Sequence, residues 1–271
     1  MAFVTLEGAA GAPRIEYEWV GAPEGPVLVF LHEGLGSVAM WRDFPARLCD
    51  ALGLRGLVYS RPGYGRSTPR PPQEHWGPDF MHHQAREVLP ALLRALEVEQ
   101  PWLFGHSDGG SIALLHAAAF PGALRGAVVL APHILVEDVS VASIAKAREA
   151  YLHTDLPQRL ARYHADADSA FFGWNDVWLS PAFRDWNITE ELRAIRCPLL
   201  AVQGLDDEYG TLEQIRGIAR VVPQAQLLEI PQCGHSPHKD QPEAVIEAVA
   251  RFVAATVRSE AAHPTVRVAP S

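Results

Sequence analysis

The chain has 271 residues, of which 48% are hydrophobic and 20% are charged, and its formal net charge is −9. The 32 Asp and Glu residues outnumber the 23 Lys and Arg residues, and no basic patch is visible, so the sequence speaks against a nucleic-acid-binding protein. This length suits an α/β domain that buries enough surface to fold without a disulfide or a metal. The composition also excludes a coiled coil, a collagen and a membrane channel.

No segment of the sequence predicts a membrane span or an export signal. The longest apolar runs, such as Val27 to Leu31 and Ala127 to Ala131, are far shorter than the ~18 residues that a membrane span requires. The N-terminus has no basic segment followed by an apolar stretch. Cys49, Cys197 and Cys233 form no C-x-x-C pair and are expected to be free thiols. These features predict a cytoplasmic protein without membrane partners.

Several short segments have the pattern of β-strands. The first alternates like an exposed strand, and the others are continuous apolar runs, which are typical of buried strands. In chain order they are Arg14 to Val20, Pro26 to His32, Arg55 to Ser60, Pro101 to Gly105, Leu124 to Ala131, Pro198 to Gln203 and Gln226 to Ile230.

Helical segments alternate with these strands: Trp41 to Leu52, Gln84 to Leu96, Gly110 to Phe120, Leu212 to Val222 and Pro242 to Ala255. Buried strands that alternate with helices predict a doubly wound α/β domain, with a mostly parallel sheet covered on both faces. In such domains ligands bind at the carboxyl ends of the strands. The functional site is therefore expected in the loops that follow the strands.

The interval from about 133 to 195 contains no predicted buried strand and is rich in aromatic residues. We expect a helical cap inserted between two late strands, with residues 1–132 and 196–258 forming the core and residues 259–271 a flexible tail. A cap over the carboxyl edge of the sheet would act as a lid. Its aromatic residues either form a small core of the cap itself or line a substrate pocket, for which Trp174 and Trp178 are the candidates.

The strongest local signal is Gly105-His106-Ser107-Asp108-Gly109, which has the pattern G-x-S-x-G. It directly follows an apolar strand and precedes a helical run, which is the setting of a nucleophile elbow. A serine at the tip of such a turn has strained backbone angles, and side chains two positions away would collide, so glycine is favoured there. The helix that begins at the turn aims N–H groups at the serine and favours negative charge. His106 is expected to pack beneath the turn.

A serine hydroxyl needs a base, and the base needs an acid that orients it. Asp206 and Asp207 follow one predicted strand, and His235 follows the next. These side chains are therefore expected at the same edge of the sheet as Ser107. His238 is an alternative base in the same loop as His235.

With these motifs the chain resembles the α/β-hydrolase family. Besides the elbow, the resemblance rests on LHEGLGS at residues 31–37, on SRPGYGRS at residues 60–67 and on Gly234-His235. It extends from about residue 15 to residue 252. The resemblance implies the α/β-hydrolase fold and a serine triad in the chain order nucleophile, acid, base.

The resemblance also implies roles for particular residues. The family's acid stands three positions after Gly204, which favours Asp207 over Asp206. The implied oxyanion hole consists of the backbone N–H groups of Gly34 and Asp108. The implied catalytic triad consists of Ser107, Asp207 and His235.

Two acidic residues near the nucleophile need a separate explanation. Glu33 stands where the family pattern has glycine, and its carboxylate would oppose developing negative charge if it pointed into the oxyanion hole. Glu33 either turns outward and pairs with a cation, or holds a water or a polar substrate group. The Asp108 side chain either favours the helix N-terminus or faces the pocket and binds an ammonium or hydroxyl group. A metal site of the H-E-x-x-H type is excluded, because Gly36 stands where the second histidine is required.

These features predict a serine hydrolase that acts through an acyl-enzyme, with small to medium carboxylic esters as the first choice of substrate. The chemistry requires no cofactor and no metal, and the expected partner is a small molecule; whether the chain forms a homo-oligomer is left open. One alternative is hydrolysis of a carbon–carbon bond in vinylogous diketones produced by ring cleavage, for which similar enzymes use comparable triads and lids. Another is a ligand-binding module that keeps the fold and has little turnover.

Overall fold

The computed structural model describes residues 1–7 and 11–262. The strands are β1 Ala2–Thr5, β2 Arg14–Gly21, β3 Val27–Leu31, β4 Arg55–Tyr59, β5 Trp102–His106, β6 Gly126–Leu130, β7 Leu199–Gly204 and β8 Ala225–Ile230. They form an eight-stranded sheet in the order β1-β2-β4-β3-β5-β6-β7-β8. Strand β2 pairs antiparallel with β1 and β4, and the remaining pairings are parallel.

The side chains of the central strands alternate between two apolar cores. In β3, Val29 and Leu31 pack on one face of the sheet, whereas Leu28 and Phe30 pack on the other. Strands that are buried on both faces need apolar residues at every position, which explains the continuous apolar runs in the sequence. The predicted α/β class with a doubly wound, mostly parallel sheet is confirmed.

Helices cover both faces of this sheet. The α-helices are α1 Phe44–Leu52, α2 Phe80–His83, α3 Leu89–Ala95, α4 Asp108–Ala119, α5 Asp138–His153, α6 Leu156–Leu160, α7 Ala167–Trp178, α8 Glu213–Val221, α9 Pro237–Asp240 and α10 Pro242–Ala262. Helices α1 and α10 pack against the core that contains Phe30, and α3, α4 and α8 pack against the core that contains Val29. Short 3-10 turns span Val38–Trp41, Pro181–Phe183 and Glu191–Ala194, and a π-helical turn spans Gln84–Val88.

Two strand predictions need correction. Strand β1, which pairs with β2, was not predicted, because a segment of four residues is too short to show alternation. The segment from Gln226 to Ile230 was predicted as a buried strand, but β8 is the edge of the sheet, and Gln226 and Leu227 are exposed. An edge strand has a neighbour on one side only, and the sequence alone does not show which strand takes that place.

Helix boundaries also differ from the predictions. The predicted helix begins at Trp41, but a 3-10 turn ends at this residue, and α1 begins only at Phe44, after Arg42, which has a φ of 55°. Helix α10 continues past the predicted end at Ala255 to Ala262, and Thr256 is still buried along it. Residues 259–262 of the predicted tail are therefore helical, and the rest of that tail lies outside the described residues.

The segment from 133 to 195 contributes no strand to the sheet in the described part of the chain, and α5, α6 and α7 make up most of it. Tyr151 of α5 stacks on Phe171 of α7 at 3.8 Å between ring centroids, and Arg148 of α5 donates a hydrogen bond to Asp176. The division into a core and a cap at these boundaries stays a prediction. Within residues 1–7 and 11–262, we find no helix that combines the length and the apolar character needed to cross a membrane.

Candidate active site

Ser107 stands at the sharp turn between β5 and α4. Its φ of 53° and ψ of −122° are unusual for a residue with a side chain, and its N–H donates to the carbonyl of Leu130 at 2.9 Å. A Cβ at Gly105 would lie 2.3 Å from the carbonyl oxygen of Gly109, and a Cβ at Gly109 would lie 2.1 Å from that of Leu31. Both positions therefore require glycine, and the turn presents the Ser107 hydroxyl at the carboxyl edge of the sheet.

The side chains of Ser107, His235 and Asp207 form one chain of hydrogen bonds. Nε2 of His235 is 2.9 Å from Oγ of Ser107, and Nδ1 of His235 is 2.8 Å from Oδ1 of Asp207. An ionised carboxylate only accepts hydrogen bonds, so Nδ1 carries a hydrogen and Nε2 accepts from the hydroxyl. The side chain of His235 is 11% exposed and that of Asp207 is 2% exposed, which shields both contacts from bulk water.

The loops after β7 and β8 bring the acid and the imidazole together. Gly204 pairs with Ile230 at the ends of these strands, and the N–H of Asp206 donates to the carbonyl of Cys233 at 2.9 Å. A Cβ at Gly204 would lie 2.0 Å from that carbonyl oxygen, so glycine allows the close approach of the two loops. The side chain of Asp207 then reaches His235.

Asp207 is held as an ionised acceptor. Besides His235, it accepts from the N–H of Tyr209 at 2.8 Å and from Nε2 of Gln203 at 3.0 Å. Burial acts to raise the pKa of the Asp207 carboxyl, but the hydrogen bonds from His235 and Tyr209 outweigh it and lower the pKa. The alternative acid, Asp206, is exposed.

The alternative base, His238, lies away from this chain of contacts. Its ring is 3% exposed and packs against Trp41 at 4.8 Å and against His106 at 4.7 Å between ring centroids. Neither ring nitrogen of His238 has a hydrogen-bond partner among the described residues. Burial holds the pKa of His238 well below its usual value, so it is a neutral packing residue beneath the elbow.

The peptide group between Glu33 and Gly34 has a fixed orientation. The carbonyl oxygen of Glu33 accepts from Nδ1 of His32 at 2.7 Å, from Nη2 of Arg61 at 2.9 Å and from the N–H of Gly36 at 3.0 Å. The N–H and C=O of a trans peptide point in opposite directions, so the N–H of Gly34 points away from these donors. Gly34 itself lies against the indole of Trp174, since a Cβ at Gly34 would be 2.2 Å from Nε1.

The Glu33 side chain combines features of both predicted alternatives. Oε1 lies 3.4 Å from Nζ of Lys239 and Oε2 lies 3.5 Å from Nδ1 of His106, so the carboxylate pairs with a cation. It is nevertheless only 18% exposed and borders the cavity beside Ser107. Burial acts to raise the pKa of the Glu33 carboxyl, but His106 and Lys239 outweigh it and hold the pKa well below its usual range.

The Asp108 side chain turns toward the 133–195 segment. Nε1 of Trp178 donates to its Oδ1 at 3.2 Å, whereas Oδ2 is buried and has no hydrogen-bond partner among the described residues. Burial raises the pKa of Asp108 to about 6, and nearby Arg61 limits the rise. Asp108 borders the cavity beside Ser107, but its carboxyl group is fully buried against Trp178, and a role in binding a substrate group stays a prediction.

A cavity of about 180 Å³ lies above Ser107. Trp174 and Trp178, which were predicted to bind substrate, line it together with Ile144. A larger groove of about 900 Å³ runs along the loop after β4, past Trp76, and includes none of the residues of the hydrogen-bonded chain. We assign the site to the smaller cavity because it contains the serine.

Sequence reasoning missed other residues that line this cavity, including His133 and Tyr209. The Tyr209 ring lies 4.7 Å from that of His235. Burial and then His235 lower the pKa of His133 to about 3, so its imidazole is neutral. His133 follows β6 at the carboxyl edge of the sheet, and the strand-end rule that predicted Asp207 also applies to it.

Known hydrolases are similar to this chain in sequence and in fold. A sequence model described as the alpha/beta hydrolase family matches residues 28–248. A bifunctional esterase/perhydrolase of Acinetobacter calcoaceticus is 25% identical over an alignment of 287 residues, which covers 93% of this chain and 99% of that protein. An sn-1-specific diacylglycerol lipase of Mus musculus is 24% identical over 256 residues, which covers 84% of this chain and 81% of that protein. A solved structure from a study of carboxylesterases of Nitrososphaera gargenis has a similar fold, with a TM-score of 0.77, 20% identity, and coverage of 95% of this chain and 100% of that chain.

Proposed function

The chain belongs to the alpha/beta hydrolase family, and we propose that it is a serine hydrolase that cleaves small to medium carboxylic esters through an acyl-enzyme. The observation that carries the proposal is the unbroken hydrogen-bonded chain from Ser107 through His235 to Asp207, with 2.9 Å and 2.8 Å between the bonded atoms. Its members follow three different strands, and their chain order is that of nucleophile, acid and base in this fold.

The proposed reaction proceeds in two stages. Ser107 Oγ adds to the ester carbonyl carbon while His235 Nε2 takes its proton, and His235 then protonates the leaving alcohol as the carbon–oxygen bond breaks. Water next gives a proton to His235 and adds to the acyl carbon; the bond from this carbon to Ser107 Oγ then breaks, His235 returns its proton to Oγ, and the acid is released. Asp207 holds the imidazole in the required tautomer and stabilises it when it is protonated.

The proposed oxyanion hole consists of the N–H groups of Gly34 and Asp108. The carbonyl of Glu33 is held by three donors, which supports an N–H of Gly34 that points away from them. Asp108 is the first residue of α4, where N–H groups have no partner within the helix. Negative charge on the substrate oxygen would therefore meet N–H donors at a helix N-terminus.

The cavity supports a small substrate. Trp174, Trp178 and Ile144 provide apolar surface, and the volume of about 180 Å³ favours a small acyl group. The Asp108 carboxyl group lies behind this surface and is fully buried, so a polar substrate group would reach its Oδ2 only after the cavity wall moves.

A fluorophosphonate probe tests the proposal, because it labels only an activated serine. We expect the wild type to be labelled and Ser107→Ala to remain unlabelled, whereas Ser111→Ala, which removes a buried hydroxyl in the same helix, should retain the label. A panel of esters run alongside should show hydrolysis by the labelled forms only. Absence of labelling in the wild type would overturn the proposal and favour a ligand-binding module.

A vinylogous diketone, added to the panel of esters, separates ester hydrolysis from carbon–carbon hydrolysis. This product of ring cleavage loses its dienoate chromophore when the carbon–carbon bond is hydrolysed. We expect turnover of esters and no loss of that chromophore. Loss of the chromophore without ester turnover would replace the proposed substrate class with the carbon–carbon one.

A further inference from the structure

His106 lies behind the proposed base, and the reaction above does not use its side chain. It is 1% exposed, and its Nε2 is 2.7 Å from the backbone carbonyl oxygen of His235. A carbonyl oxygen only accepts hydrogen bonds, so Nε2 of His106 carries a hydrogen and donates it. This contact joins the residue before Ser107 to the main chain of the proposed base.

The other ring nitrogen of His106 faces a carboxylate. Its Nδ1 is 3.5 Å from Oε2 of Glu33, and Lys239 lies 3.4 Å from the other oxygen of that carboxylate. Gly36 leaves the space that the carboxylate occupies, since a Cβ at Gly36 would lie 2.6 Å from Oε2. Glu33 thus folds back over Gly36 toward His106, which explains why an acid is accommodated beside the proposed oxyanion hole.

Different groups restrain different parts of His235. Asp207 holds the ring through Nδ1 at 2.8 Å, whereas His106 holds the carbonyl oxygen at 2.7 Å and Glu208 accepts from the N–H at 3.2 Å. Rotation of the ring and displacement of the main chain are separate motions, so a contact to the ring alone does not prevent both. A displacement of ~1 Å at reacting atoms can lower the rate ~100-fold, which makes the second restraint important for catalysis.

We propose that the Nε2–H of His106 positions the main chain of His235, so that Nε2 of His235 stays within reach of Ser107. This inference rests on the proposed function, and it makes His106 a positioning residue. Burial lowers the pKa of His106, against the opposing effect of Glu33, so His106 stays neutral with its hydrogen on Nε2; its Nδ1 has no hydrogen-bond partner among the described residues. No second positive charge then opposes the protonated form of His235.

Conservative and disruptive substitutions test this role of His106. His106→Phe keeps a ring but loses the donor, whereas the amide of His106→Gln can still donate to the His235 carbonyl. His106→Met is a matched control for His106→Gln, because it has a similar length and no donor. From the cost of misplacing reacting groups, we expect kcat to fall ~10- to 100-fold in His106→Phe and in His106→Met, with KM within about twofold. His106→Gln should recover most of the loss.

A double substitution separates positioning from a general loss of structure. In a His235→Ala background, His106→Phe should cause no further loss of kcat, because no base remains to be positioned. The same fold-loss in both backgrounds would overturn the inference, since His106 would then act on the fold or on the oxyanion hole. If His106→Phe does not fold, the comparison of His106→Met with His106→Gln decides, and equal kcat values in those two variants would overturn it.

His116 provides a matched control. It is also a buried histidine whose ring contacts a backbone carbonyl, that of Ala85 at 2.8 Å, and it lies on α4 away from His235. His116→Gln should change thermal stability without changing kcat. Retained ester hydrolysis in Ser107→Ala would refute the proposed function, whereas wild-type kcat in His106→Phe, with Ser107→Ala and His235→Ala inactive, would refute the positioning inference alone.

Discussion

The loops at the carboxyl ends of the strands and the 133–195 segment meet above Ser107, but different contacts hold them. In the loops, backbone hydrogen bonds join chain segments that are far apart in sequence: the N–H of Ser107 donates to Leu130, and that of Asp206 donates to Cys233. In the segment, side chains join the helices, as in the stacking of Tyr151 on Phe171. Backbone hydrogen bonds do not depend on the identity of the side chains. The loops therefore suit a reaction that stays the same, and the segment suits a pocket whose side chains vary.

The largest expected effect concerns the loops. Ser107→Ala and His235→Ala should each lower kcat by on the order of 10⁴–10⁶, and the double variant should be little worse, because residues that act as one unit lose their effect together. Initial rates on the preferred ester, with thermal unfolding to verify folding, measure this. If the kcat loss of the double variant equals the product of the two single losses, Ser107 and His235 act independently, and the loops do not hold one catalytic unit.

The next effect concerns Asp108, where the two regions touch through Trp178. The pKa of Asp108 rises from its usual 3.8 to about 6 on folding, so stability that is fully present below pH 3.8 is lost as the pH rises through about 6. Asp108→Asn removes this loss, so the difference in unfolding free energy between variant and wild type should shift in favour of the variant by roughly 2–3 kcal/mol between pH 4 and pH 7.

Urea unfolding of both proteins at the two pH values measures that shift, and comparison within each protein cancels any change in packing. Asp206→Asn makes the same chemical change on an exposed loop and should show no such shift. If the difference in unfolding free energy between Asp108→Asn and wild type does not depend on pH, burial at the contact between the two regions does not raise the pKa of Asp108.

The smallest effect concerns His133, at the start of the segment. Its pKa falls from the usual 6.5 to about 3, so the unfolded chain binds a proton in this range that the folded chain does not. Stability is therefore lost as the pH falls below 6.5. His133→Gln should lose about 2 kcal/mol less unfolding free energy than wild type between pH 7 and pH 5.

An exposed histidine serves as the control for this measurement. The side chain of His153 in α5 is 71% exposed, so His153→Gln should follow the wild-type change between the two pH values. If His133→Gln follows it as well, the imidazole of His133 gains a proton in the folded protein, and the junction of the two regions is wetter than the structure indicates.

Much of the fold is determined locally by the sequence. The period of the apolar residues depends on neighbouring positions, so the central strands and the class of the sheet were predictable, as were the strand ends that carry Ser107, Asp207 and His235. The structure brings those three side chains into hydrogen-bond distance, and their catalytic role stays a prediction. The structural need for glycine at positions 105 and 109 was also predictable, because the turn itself leaves no room for a side chain there.

Tertiary structure decided the features that depend on residues far apart in the chain. Side chains from different elements meet in three of these features. Asp108 contacts Trp178, Glu33 lies beside His106, and His133 is buried. The edge position of β8 likewise depends on the order in which strands pair. A local sequence pattern shows which face of a strand or helix is apolar. The partner of a buried polar group is decided only when the elements pack against each other.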